Sequence, residues 1–90
     1  MPLRCAILLC LSTLALSATD VRTVLDEALA AEASLDSARA LVLFQQADAA
    51  KPDDAFILQK IAKQYSDLVP AQPTKEAKKE YATRGLEYAR

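Results

Sequence analysis

Two adjacent aspartates, Asp53 and Asp54, and two glutamates one helical turn apart, Glu76 and Glu80, are carboxylate pairs of the kind used for acid–base work or calcium binding. Neither sits among the residues such chemistry needs. Asp53-Asp54 follows Lys51-Pro52, where one helix has stopped and another must start, so the pair is read as helix-capping. Glu76 and Glu80 lie among Lys75, Lys78 and Lys79, which makes them part of a solvated face. The chain contains no histidine, which removes the base of Ser–His and Cys–His nucleophiles and an imidazole metal ligand. Its only glycine, Gly85, leaves no glycine-rich loop to cradle phosphate. Cys5 and Cys10 are spaced C-x4-C in an apolar run, which is no zinc site. The expectation is a protein that is not an enzyme and has no cofactor and no metal.

Ninety residues make one small domain at most. Arg4 is the lone charge ahead of an uncharged stretch over residues 5–17, which has the length of a signal-peptide core and falls short of the ~20 residues of a membrane span. Residues 1–17 are therefore read as a signal peptide. Ala15 and Ser17 form an A-x-S cleavage site, so the mature chain starts near Ala18. A cut after Ala18 is the alternative, and it places Leu16 at the usually small −3 position. Leu9 is too large to precede a lipidated Cys10. An exported protein, periplasmic or extracellular, is expected, with no membrane span after cleavage. The alternative is an anchor made of uncleaved residues 5–18. Cleavage removes both cysteines, so the mature chain has no disulfide to form.

The formal charge of −1, of which Arg4 supplies +1, hides two unlike halves. Residues 18–59 carry three basic and eight acidic side chains, a net of −5, whereas residues 60–90 carry seven basic and four acidic ones, a net of +3. Such a dipolar chain favours oppositely charged neighbours. The bases are interleaved with acids, and Tyr81 and Tyr88 fall at core-type helical positions, so nucleic acid is not expected as a partner.

Strand-type alternation is absent from residues 18–90, and four helices fit. The first spans about 20–33, capped by Thr19 or Asp20, with Val21, Val24, Leu25, Ala28 and Leu29 on a broad apolar face. The second spans about 37–50 behind Asp36, with Ala40, Leu41, Phe44 and Ala47 on one side of a 3.6-residue period. The third, about 55–68, is the most regular: Ile57, Leu58, Ile61, Ala62, Tyr65 and Leu68 share one side, with Gln59, Lys60, Lys63, Gln64 and Asp67 opposite. Pro70 and Pro73 predict a loop over 69–74. The fourth starts behind Thr74 and runs to the end. Ala77, Tyr81, Ala82, Leu86 and Ala89 share its face, and Gly85 inside it costs about 1 kcal/mol against alanine unless another helix approaches closely there.

The series Ala40, Phe44, Ala47, Pro52 resembles the second helix and closing proline of a tetratricopeptide repeat, a unit of about 34 residues. In the same register Val24, Ala28 and Ala31 fall on first-helix positions, where Glu27 departs from the usual leucine. A second repeat from Ala55 places Leu58, Ile61, Ala62 and Tyr65 on the large, large, small and aromatic positions. Ala82, Leu86 and Ala89 follow after an insertion of about eight residues. Segments from Asp36 onward, among them LFQQADAAKPDDAFILQKIAKQYSDL and YATRGLEYAR, are similar to exported bacterial proteins that resemble the regulator of microtubule dynamics family.

The resemblance implies an all-α fold of two antiparallel hairpins stacked as repeats over residues 18–90, repeat one about 21–54 and repeat two about 55–90, the latter incomplete at its C-terminal end. Ala28, Ala40, Phe44, Ala47, Pro52, Leu58, Ile61, Ala62, Tyr65, Ala82, Leu86 and Ala89 are its packing positions. It also implies a non-catalytic interaction scaffold, with Gln59, Lys60, Lys63 and Gln64 of the first-helix surface binding an extended or helical segment of an unknown protein or peptide. Two alternatives stand beside it: a small structural protein that self-associates through a C-terminal edge of Tyr81, Leu86 and Tyr88, and a fragment of a longer repeat protein.

Overall fold

The computed structural model describes residues 18–90, and every regular element among them is helical. Helix α1 spans Ala18–Ala33, α2 Ser37–Ala50, α3 Ala55–Leu68 and α4 Lys75–Ala89, with a short 3₁₀ turn at Val69–Ala71. The expected signal peptide, including Cys5 and Cys10, lies outside the described residues. No helix of the described residues is long and apolar enough to cross a membrane.

Local chemistry sets most of the boundaries. Asp36 Oδ1 accepts from the Arg39 amide at 3.2 Å, Asp54 Oδ1 from the Ile57 amide at 3.2 Å, and Thr74 Oγ1 from the Ala77 amide at 3.1 Å. Each satisfies one of the amides that a helix start leaves without an internal partner. Of the two adjacent aspartates, Asp54 is thus the cap. Its carboxyl is held below the usual carboxylate range by that amide bond and by Lys51, whose Nζ lies 3.2 Å away. Asp53 takes the left-handed turn before it, at φ 64°. Two expectations need correcting. Helix α1 already includes Ala18, so Thr19 and Asp20 lie within it and not before it. Pro70 does not end helical structure outright: it sits at the start of the 3₁₀ turn, where its missing amide hydrogen costs nothing.

The exit from α1 carries strain. The Asp36 amide donates to the Ala31 carbonyl at 2.9 Å and the Leu35 amide to the Glu32 carbonyl at 3.0 Å, the paired bonds of a Schellman turn. That turn puts Leu35 at φ 62°, a region that disfavours a β-carbon by about 1–2 kcal/mol. The side chain is 88% exposed and gains little from packing in return.

Each helix packs on the next in sequence: α1 on α2, α2 on α3, α3 on α4. Helix α2, with a neighbour on either side, is the centre of the core. Ala40, Phe44 and Ala47 have no exposed surface, and Leu41 and Leu43 are buried beside them. Ala28 and Ala31 of α1 and Ile57, Ile61 and Tyr65 of α3 complete the cluster. Small residues at Ala28, Ala40 and Ala47 let the helix axes close up while Phe44, Ile57 and Ile61 fill the space between.

Candidate interaction surface

The four polar residues expected to face a partner are divided by the fold. They belong to α3, where Lys60 and Gln64 turn toward Glu32 of α1 while Gln59 and Lys63 keep exposed surface. Gln59 is exposed and Lys63 is 53% exposed at its side chain. Lys60 is largely covered, and Gln64 is fully buried, so Gln64 presents no surface to a partner.

A residue of α1 holds these groups together. Glu32 Oε1 accepts from Lys60 Nζ at 2.7 Å, and Glu32 Oε2 accepts from Gln64 Nε2 at 2.6 Å, with Lys63 Nζ 3.5 Å from the same oxygen. Lys63 also reaches Asp67 at 3.1 Å, the expected pair one turn apart. A carboxylate from the acidic half thus joins α1 to α3 through lysines of the basic half, and part of the charge asymmetry is neutralised inside the chain. The sequence carried one usable sign of this. Glu32 follows Ala28 by four residues, so it continues the buried stripe of α1, and a carboxylate there requires a cation. The amide oxygen of Gln64, Oε1, has no hydrogen-bond partner.

Burial acts to raise the Glu32 pKa, but the Lys60 hydrogen bond and charge, the Lys63 charge and the Gln64 hydrogen bond together outweigh it. The net effect holds the carboxyl below its ordinary value of 4.5. The unfolded chain therefore binds the proton more readily than the folded one. The stabilisation from Glu32 is complete above pH 4.5 and is lost as pH falls through the lower folded value. In Glu32→Gln the loss of stability between pH 6 and pH 3 is expected to be smaller than in the parent, at the cost of lower stability at neutral pH. Urea midpoints measured across this range check it, and parallel pH profiles for the two proteins would show that Glu32 contributes nothing to the acid limb.

An apolar groove that the sequence reading missed lies beside this cluster. It has a volume of about 650 Å³ and is bordered by Val21, Leu25 and Leu29 of α1, Phe56 of α3 and the end of α2 at Ala50 and Lys51. Leu29 is 37% exposed and Phe56 47%. Lys60 Nζ lies 5.6 Å from the Phe56 ring centroid, within cation–π range, so the lysine that anchors Glu32 also braces the aromatic wall. Periodicity alone could not single out Phe56, because it precedes the buried Ile57 in an apolar run that any helix must split between inside and outside.

The C-terminal residues also fall differently from their expected places. Tyr81 packs edge-on to Tyr65, with ring centroids 5.3 Å apart at 75°, and Tyr88 stacks on Tyr65 at 5.8 Å and 21°. Gln45 of α2 donates to the Tyr65 hydroxyl at 3.0 Å. Both outer tyrosines therefore turn inward, and of the proposed self-association edge only Leu86 stands clear, at 64% exposure. Ala82, Leu86 and Ala89 do not make the expected helix crossing. That crossing is made by Gly85, where a β-carbon would lie 3.4 Å from the Ala62 carbonyl oxygen and the Tyr65 Cβ.

Compared with protein-family models, curated proteins and solved structures, the chain has no match in any of the three.

Proposed function

We propose that this chain is a non-catalytic protein-interaction module of tetratricopeptide type, carried by an exported protein, and that a segment of another protein docks on its α1–α3 face. The observation that carries the reading is the groove between Leu29 and Phe56. The chain buries Phe44, Ile57 and Ile61 almost completely, yet it leaves this leucine and this phenylalanine partly open on neighbouring walls of one hollow. Apolar surface gathered in a groove and rimmed by charge is what a partner's side chain can cover. The Glu32–Lys60–Gln64 cluster links α1 to α3 alongside, so the walls keep their spacing when the groove is empty. Arg22, Asp26 and Lys51 line the same hollow and supply its polar contacts, whereas Gln59 and Lys63 border the hollows between α3 and α4. The small–large packing of Ala28, Ala40, Phe44, Ala47, Ile61 and Tyr65 supports the repeat reading, and the leader over residues 1–17 supports export.

The test is comparative capture. Leu29→Asp combined with Phe56→Asp changes two surface positions, so the helical circular dichroism and melting temperature are expected to stay near those of the parent. Proteins retained by the parent chain from the native extract are expected to be lost from this variant. An unchanged set of retained proteins on a folded variant would remove the α1–α3 groove from consideration.

A further inference from the structure

Gln64 is the one polar side chain in the core among the described residues, and only half of its amide is satisfied. It is fully buried, its nitrogen donates to Glu32 Oε2 at 2.6 Å, and its oxygen has no hydrogen-bond partner. A buried carbonyl in that state gains from any donor that comes within reach. The group beside it is the Glu32 carboxyl. While ionised, a carboxyl only accepts, so it serves the nitrogen of Gln64 and not the oxygen. Once protonated, it also donates.

The charged state commits the other oxygen of Glu32 to Lys60, whose Nζ lies 2.7 Å from Oε1. A proton on Glu32 removes the charge that holds this ammonium. The new hydroxyl can turn to the Gln64 oxygen, which lies on the same planar amide as the nitrogen already bonded. Acid and amide then pair through two hydrogen bonds, one in each direction. Lys60 is left without a counter-ion at 23% side-chain exposure, and its flexible stem lets the ammonium move out to water. The charges facing Glu32 are Lys60 and Lys63 of α3, with Asp67 at 3.1 Å from Lys63, so Lys63 keeps a partner after the exchange. Helix α2, the other neighbour of α1, carries Arg39 and Asp48, and neither pairs with Glu32. We propose that Glu32, Gln64 and Lys60 form a proton-operated switch: ionised Glu32 holds Lys60 inside the molecule, and protonated Glu32 exchanges it for the Gln64 amide oxygen, releasing Lys60 from Phe56 to the rim of the α1–α3 groove. No Cα of α1 comes within 8 Å of a Cα of α3, and the Glu32–Gln64 pair spans that gap in both states. The folded carboxyl is held below its ordinary value of 4.5, so the ionised arrangement belongs to neutral conditions and the exchange to acid ones. In acid, a docking segment with acidic side chains meets one more cation beside the groove. That consequence rests on the groove being the docking surface, and the exchange itself does not.

The test is a side-chain NMR titration of the full 90-residue chain from pH 7 to pH 3, reading the Glu32 carboxyl carbon, the Lys60 ε-carbon and the Gln64 amide nitrogen. All three are expected to shift with one midpoint while the helical circular dichroism holds. Glu32→Gln is neutral at every pH and can pair amide to amide, so it is expected to show the acid-state Lys60 and Gln64 shifts already at pH 7 and no step. Any of three results overturns the proposal: a Lys60 signal that does not move with Glu32, a Lys60 step that persists in folded Glu32→Gln, or a step that comes only with loss of helical dichroism. Should Glu32→Gln fail to fold, Lys60→Met reports instead. Its Gln64 amide is expected to keep the step, and a Gln64 signal that stays flat while Glu32 titrates overturns the proposal as well. No partner enters the measurement, so its failure leaves the docking reading standing.

Discussion

Phe44→Ala is expected to lower the melting temperature by more than 15 °C, enough to leave the chain largely unfolded at 37 °C. Phe44 has no exposed surface, and it sits on α2, which packs against both α1 and α3. Truncation removes the largest of the fully buried side chains and leaves a cavity that α1 and α3 cannot both close, at a cost of about 3–5 kcal/mol. A domain of this size has a net stability of only a few kcal/mol, and each kcal/mol lost moves its midpoint by roughly 4–8 °C. The internal control is the other phenylalanine. Phe56 is 47% exposed on a groove wall, and Phe56→Ala is expected to cost less than about 1 kcal/mol. Thermal melts by circular dichroism on both variants decide the matter, and comparable losses from the two would mean that Phe44 is not the centre of the packing.

What could be read from the residues alone divides along the line between local and tertiary causes. Asp36, Asp54, Thr74 and the Lys51-Pro52 stop act within a few residues, and the boundaries of α2, α3 and α4 follow them closely. The burial of Ala28, Ala40, Phe44, Ala47, Ile61 and Tyr65 was equally legible, since a 3.6-residue period selects one face. Gln64 was not, because a polar residue among lysines resembles a solvated flank. Its burial depends on Glu32, 32 residues away in sequence. In the last helix Tyr81 and Gly85 turn inward as expected, but Ala82, Leu86 and Ala89 do not, for a different reason. It carries two stripes of plausible composition, Ala82-Leu86-Ala89 and Tyr81-Gly85-Tyr88, and nothing local ranks them. The choice is made by Tyr65 and Ala62 on the neighbouring helix.

That choice makes Gly85 the second position where a large effect is expected. In an exposed helix, glycine is a defect worth about 1 kcal/mol, and any replacement that restores helix propensity should stabilise. Here the added β-carbon would lie 3.4 Å from the Ala62 carbonyl oxygen and the Tyr65 Cβ, so a methyl group just reaches contact with α3. Gly85→Ala is expected to be neutral to about 1 kcal/mol stabilising, the propensity gain set against a tight contact. Gly85→Leu, with the same propensity gain, is expected to destabilise by about 2 kcal/mol, because overpacking must push α4 away from α3. The two variants separate the explanations, since a glycine that is merely tolerated predicts that both stabilise. Denaturant midpoints give the sign, and the near-ultraviolet dichroism of the Tyr65, Tyr81 and Tyr88 cluster reports the helix displacement. The same crossing fixes the rotation of α4 about its axis. With Gly85 against Ala62, Leu86 must point outward, so a Gly85→Leu chain that kept its stability would mean that the exposed strip beside α3 is set by something other than this contact.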